Sequence, residues 1–217
     1  MGTTGLQVTG LLLAVLGWVG GALVCAAPFW RVSAFVGDEL VVSEVLWEGL
    51  WMSCLSQFGR MQCKTYDSGL ALAGGAQLCR ALTVLALLLC LFALLLGVIG
   101  LKCTHCLGDT QGPKARLARA AGVLFVLAGL FFLIPVCWTA YSVVREFYDP
   151  NVPPPLKREL GPALYLGWGT AVLMLAGGAI LNAASAPPEP RPSNTNAGGR
   201  NNPQPPHAEG KPEKEYV

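Results

Sequence analysis

Two cysteines offer the first chemistry in this chain. Cys54 and Cys63, with eight residues between them, bracket the turn-like run Gln57-Phe58-Gly59-Arg60. Such a pair can close a hairpin through a disulfide, and only in an oxidising compartment. A second pair lies in Cys103-Thr104-His105-Cys106, which has the spacing of half a zinc site or of a redox motif. Zinc needs four ligands, and no second Cys/His pair accompanies this one. A thioredoxin-like site needs a βαβ setting that is missing. The reading left for Cys103 and Cys106 is S-palmitoylation beside a hydrophobic stretch, with inert thiols as the plain alternative. His105 and His207 are the only histidines, and neither accompanies a plausible nucleophile. The residues therefore point to no catalytic group, no metal site, no cofactor and no enzyme. At the far end, Glu215-Tyr216-Val217 places an apolar side chain beside a carboxylate. A PDZ domain captures such a tail by strand addition: Tyr216 and Val217 form the ligand, and Val217 fills the pocket.

The elements that must carry these groups belong to a membrane. The 217 residues are 53% hydrophobic and 13% charged, against about 25% charged in ordinary globular proteins. A spanning helix takes about 20 apolar residues, and residues 6–27, 81–101, 120–144 and 162–184 qualify. None of the four contains Asp, Glu, Lys, Arg or His. A charge inside a span is the usual mark of a transport pathway, so this composition argues against a transporter. The first stretch lacks a basic leader and is long for a signal peptide, so it reads as a retained span. Lys102, Lys114, Arg116 and Arg119 crowd the short loop after the second span, which puts that loop and both termini in the cytoplasm. A net charge of +2, with no basic cluster interleaved with aromatics, excludes nucleic acid as a partner.

This layout leaves outer loops at 28–79 and 145–161 and a cytoplasmic tail at 185–217. The tail is rich in Pro, Asn and Gly and cannot bury enough surface to fold. In the first loop, 30–36 and 41–46 read as one hairpin, and 49–55 and 61–66 as a second. Four short strands make a sheet too small to stand alone, so helix ends and a disulfide must support it. Glycines and alanines, Gly177-Gly178 among them, allow close helix contact.

The order Trp30, then Gly49-Leu50-Trp51, then Cys54 and Cys63 in the first outer loop of a four-span chain resembles the signature of the claudin family. Arg80 at the start of the second span matches a family position. Pro135-Val136-Cys137-Trp138-Thr139-Ala140 and Lys157-Arg158-Glu159-Leu160-Gly161 are similar to the barrier-forming subgroup. Val144-Arg145-Glu146-Phe147-Tyr148-Asp149-Pro150 looks most like the endothelial member of that subgroup. The match runs from residue 5 to about residue 182, plus the terminal Tyr216-Val217.

The resemblance implies an α-helical membrane protein, a left-handed four-helix transmembrane bundle carrying a small extracellular antiparallel β-sheet. It implies a tight-junction strand protein of the plasma membrane, forming a paracellular barrier. Its partners would be further copies of itself and other claudins, in cis and in trans, together with membrane lipid and PDZ scaffolds of the zonula occludens type. Phe147, Tyr148 and Pro150 would make the trans contact. Lys64, after the second cysteine, holds a position that is acidic in cation-pore members and would disfavour cations several-fold to about a hundredfold. A charge-selective paracellular channel is the alternative function, and an ion-channel auxiliary tetraspan a weaker one. The chain also departs from the family. Ala73-Gly74-Gly75-Ala76 replaces a helix-forming stretch, and each such glycine weakens a helix by roughly 1 kcal/mol. A cysteine pair usual after the fourth span is absent from 182–185, which removes one lipidation site.

Overall fold

The computed structural model describes residues 2–34, 44–67, 74–101, 111–153 and 156–185. Helix α1 spans Gly2–Ala26, α2 spans Gly74–Gly100, α3 spans Gln111–Tyr148 and α4 spans Pro162–Ala184. All four are long and apolar enough to cross a membrane. Helices α2 and α3 extend well past the expected spans. The expected spans start after Arg80 and Arg119, whereas the helices already include Arg80, Lys114, Arg116 and Arg119. At its outer end α3 runs on through Arg145 and Glu146 to Tyr148, where Asp149-Pro150 stops it as the sequence implies. Backbone hydrogen bonding does not stop at the hydrocarbon boundary; only side-chain apolarity does. The paired glycines Gly74 and Gly75 are helical too, forming the first turn of α2. The six residues before them, 68–73, lie outside the described residues.

Helix α2 packs chiefly on α3, α1 on α4, and α3 on α4. The interior divides its volume unevenly. Phe125, Phe132 and Val136 of α3 and Leu164, Met174 and Leu181 of α4 are fully buried against Ala14 of α1 and Ala86 and Ala93 of α2. Large side chains and alanines thus interdigitate in one shared core. Leu12, Leu16 and Leu23 of α1 and Leu88 and Leu95 of α2 are exposed, more than half of each side chain lying open. An apolar surface of that extent belongs against lipid. At the inner end, Gln7 Nε2 donates to Ser185 Oγ at 3.1 Å and Arg119 Nη2 to the Ser185 carbonyl at 3.2 Å. A polar clasp therefore joins α1, α3 and α4.

Five strands, not four, form the sheet, in the order β4-β3-β2-β1-β5 and antiparallel throughout. They are β1 (Arg31–Ser33), β2 (Glu44–Glu48), β3 (Met52–Gln57), β4 (Arg60–Thr65) and β5 (Arg158–Leu160). The fifth comes from the second outer loop. Its residues alternate in charge and lack the branched and aromatic side chains that signal a strand, so pairing with β1 makes it one. Two expected strands also shift along the chain. β2 continues to Glu48 because Trp47 packs edge-on against Phe29, with ring centroids 5.2 Å apart. Gly49-Leu50-Trp51 is a corner instead of strand, closed by the Gly49 N–H donating to the Met52 carbonyl at 2.9 Å. The first expected hairpin turn, at residues 37–39, lies outside the described residues.

Adjacent glycines on α4 hold the bundle close. A Cβ on Gly177 would stand 2.6 Å from the Gly10 carbonyl oxygen of α1, and one on Gly178 would stand 2.7 Å from the Gly122 carbonyl oxygen of α3. Both obstacles are backbone, so neither can swing aside. Gly177→Leu and Gly178→Leu should each force the helices apart and destabilise the fold by about 1–3 kcal/mol or more. Thermal unfolding of the purified protein in detergent measures this; an unchanged melting temperature would contradict the packing.

Candidate functional site at the sheet–helix junction

Trp30 leaves the end of α1 and turns back beneath the sheet, 2% exposed, where its indole N–H donates to the Val24 carbonyl at 2.8 Å. Its backbone N–H pairs with the Glu48 carbonyl at 3.0 Å, and its carbonyl accepts from the Gly161 N–H at 3.0 Å. One residue therefore joins α1, the sheet and the start of α4. The corner at Gly49 presses on the same chain segment: a Cβ there would lie 2.5 Å from Pro28 Cα. Leu50, 7% exposed, points down into the core, while Trp51 donates its indole N–H toward Cys25 Sγ at 3.4 Å.

Arg80 fastens this corner to α2. Its guanidinium carbon lies 5.2 Å from the ring centroids of both Trp51 and Tyr66. Its Nε donates to the Leu50 carbonyl. Arg80 Nη2 is buried with no hydrogen-bond partner among the described residues. Tyr66, whose hydroxyl donates to the Gly49 carbonyl at 3.3 Å, has its pKa raised, first by burial and then by the nearby Glu48 carboxylate. It stays neutral and a donor at physiological pH.

Cys54 and Cys63 are bonded across β3 and β4. They are direct register partners with Cα atoms 4.0 Å apart, the closer kind of antiparallel pair. The turn beyond them holds Phe58 at φ 47° and Gly59 at φ 76°, as a two-residue hairpin loop requires. Phe58 stands 87% exposed at its tip. Lys64 lies on β4, every residue of which is exposed, and its Nζ is 2.7 Å from the Asp67 carboxylate. The hydrogen bond to Asp67 raises the Lys64 pKa, so the ammonium keeps its charge. Its field is that of a paired charge, weaker with distance than a lone cation's.

At the outer end of α3, Tyr148 is 77% exposed and packs edge-on against Phe147, over which Lys157 Nζ lies at 5.5 Å. Tyr148 and Pro150 border a surface groove of about 370 Å³. The sequence reading missed the ion pairs beneath the sheet. Arg158 gives two guanidinium contacts to Glu48 Oε1, at 3.1 and 3.0 Å, and Arg31 reaches Ser142 Oγ at 2.9 Å and Glu146 at 3.7 Å. Each joins residues more than a hundred positions apart, and no local pattern announces them. Cys103, Cys106, Tyr216 and Val217 lie outside the described residues.

The junction therefore brings Trp30, Gly49, Leu50, Trp51 and Arg80 into one body, with the disulfide starting from the strand that leaves the corner. The family model described as the PMP-22/EMP/MP20/Claudin family matches residues 4–181. The chain is 52% identical to human (Homo sapiens) claudin-6 over 182 residues, 83% of this chain and 82% of that protein. The chain belongs to the claudin family. Other relatives include claudin-9 of Mus musculus, 55% identical over 172 residues and 79% of each chain. Human claudin-3 is 52% identical over 185 residues, 85% of this chain and 83% of its own length. As a claudin, the chain is a multi-pass plasma-membrane protein of tight junctions that associates with claudins and contributes to the paracellular barrier. The family is structural and not enzymatic.

Arg80→Lys keeps the charge but loses the planar fork that lies against two rings while bonding the Leu50 carbonyl. The substitution should destabilise the outer sheet by about 2–4 kcal/mol. Limited proteolysis of the intact protein reads this as faster cleavage within the first outer loop, and rates equal to wild type would refute the role.

Proposed function

We propose that this claudin seals the intercellular cleft with a sheet edge on which the Lys64 charge is paired by a neighbouring carboxylate. The observation that carries this reading is the Lys64–Asp67 pair on the open face of β4. A lone ammonium there would repel cations and draw anions; a paired one presents a local dipole and favours neither strongly. Lys64 is then the charge-selectivity residue only together with Asp67. Phe147, Tyr148 and Pro150 make the trans contact with the opposing cell, supported by the exposure of Tyr148 and by the groove it borders. Trp30, Gly49, Leu50, Trp51 and Arg80 hold the platform that presents these surfaces. Behind the membrane, Tyr216 and Val217 bind PDZ scaffolds of the zonula occludens type, and palmitoylated Cys103 and Cys106 add a lipid anchor.

Epithelial monolayers expressing the chain test the seal by transepithelial resistance and dilution potentials. Wild type should raise resistance with no strong preference between sodium and chloride. Asp67→Asn bares the Lys64 ammonium and should lower the sodium-to-chloride permeability ratio several-fold, whereas Lys64→Gln should raise it by a similar factor. Falling resistance with strong cation selectivity in wild type would replace the barrier with a pore.

A further inference from the structure

Beneath the sheet, the outer ends of α2 and α3 enclose a cavity of about 420 Å³, within the usual range for a ligand site. Two charges of opposite sign face it. Arg31 Nη2 is held by Ser142 Oγ at 2.9 Å, while its Nη1 stands 3.7 Å from Glu146 Oε2. That separation is longer than the roughly 2.7–2.9 Å of a closed ionic hydrogen bond. Both side chains remain partly open, at 29% and 46%. The other carboxylate of the lining, Glu48, is already bonded twice by Arg158. Ser142 accepts from Arg31 while donating its own proton to the Thr139 carbonyl at 2.9 Å, so the cavity presents one guanidinium and one carboxylate, both short of saturation.

A ligand that completes both charges must itself carry both. Trp138, 54% exposed on α3, lines the same cavity and marks the depth where outer-leaflet headgroups lie. We propose that this cavity seats the headgroup of a zwitterionic outer-leaflet phospholipid: its phosphate on Arg31, its ammonium on Glu146 and the Trp138 ring. An anionic lipid would set its phosphate against Arg31 and leave Glu146 unmatched. A sterol, with one neutral hydroxyl, would neutralise neither charge. The space exists because α2 opens with Gly74-Gly75-Ala76. A Cβ on Gly75 already reaches Trp138 Nε1 at 3.4 Å, so any longer side chain there enters the cavity. A lipid held in this place would join the sheet and the bundle to the leaflet they sit on.

The test uses the purified full chain in detergent micelles, with retained lipid read by native mass spectrometry and stability by thermal shift. The probes are short-chain phosphatidylcholine, phosphatidylglycerol, cholesterol and soluble glycerophosphocholine. Phosphatidylcholine should bind and raise the melting temperature above the shift given by phosphatidylglycerol or cholesterol. Gly75→Leu should bind it at least about tenfold more weakly, while its lipid-free melting temperature is unchanged or higher, since leucine favours a helix over glycine. Glu146→Gln should weaken phosphatidylcholine about tenfold and leave phosphatidylglycerol unaffected. Wild-type affinity for phosphatidylcholine in both variants would overturn the proposal. Equal stabilisation by phosphatidylglycerol or cholesterol would also overturn it. Competition by glycerophosphocholine as effective as by the lipid would move the site from the membrane to a soluble phosphodiester and overturn the lipid assignment.

Discussion

Everything outside the membrane depends on how one guanidinium is housed. Arg80 rises from α2 and lies against the rings of Trp51 and Tyr66, with Nε on the Leu50 carbonyl. A five-stranded sheet of short strands has little core of its own, and strands this short are not stable in isolation. Its lower face must therefore borrow apolar cover and hydrogen-bond partners from the helices. A charge in a partly dry position is tolerated only where ring faces and carbonyls replace the lost water. Arg80 and the Gly49 corner consequently require each other: the corner supplies the Leu50 carbonyl and the Trp51 ring, and the arginine stops the corner from lifting. Trp30 performs the matching task for α1 through the Val24 carbonyl. The sheet is pinned to two different helices by two side chains of opposite character.

Below that junction the bundle solves a different problem. Water cannot drive helices together inside a bilayer, so close van der Waals contact must do so. The glycines facing one another across α1–α4 and α3–α4 let backbones approach where side chains would hold them apart. The polar clasp of Gln7, Ser185 and Arg119 closes the inner end. It shows how a helix end can be held by hydrogen bonds alone.

Much of this arrangement was legible beforehand, and the boundary of legibility has a physical cause. Four charge-free stretches announce four spans because the bilayer imposes a length and a composition that few soluble segments meet. Cys54 and Cys63 announce a hairpin because eight intervening residues allow an antiparallel pair with a two-residue turn. The signature residues could be gathered only through the family resemblance, since nothing local places Arg80 beside Trp51. β5 was invisible: Arg158-Glu159-Leu160 has no strand character, and β1 alone recruits it. The same holds for Glu48 with Arg158 and for Arg31 with Glu146, pairs created by the chain folding back over more than a hundred residues. Lys64 was noticed for its position, yet the carboxylate three residues on changes what its charge can do.

Because β5 belongs to the second outer loop while its neighbour β1 belongs to the first, the two loops are one mechanical part. A force applied to either is carried across backbone hydrogen bonds and the Glu48–Arg158 pair into the other. An antibody or peptide gripping the outer end of α3 would therefore tug on the disulfide hairpin at the opposite side of the sheet. Exchanging one loop between relatives replaces half of a hydrogen-bonded seam, so such chimeras report on the fit of that seam as much as on the loop transferred.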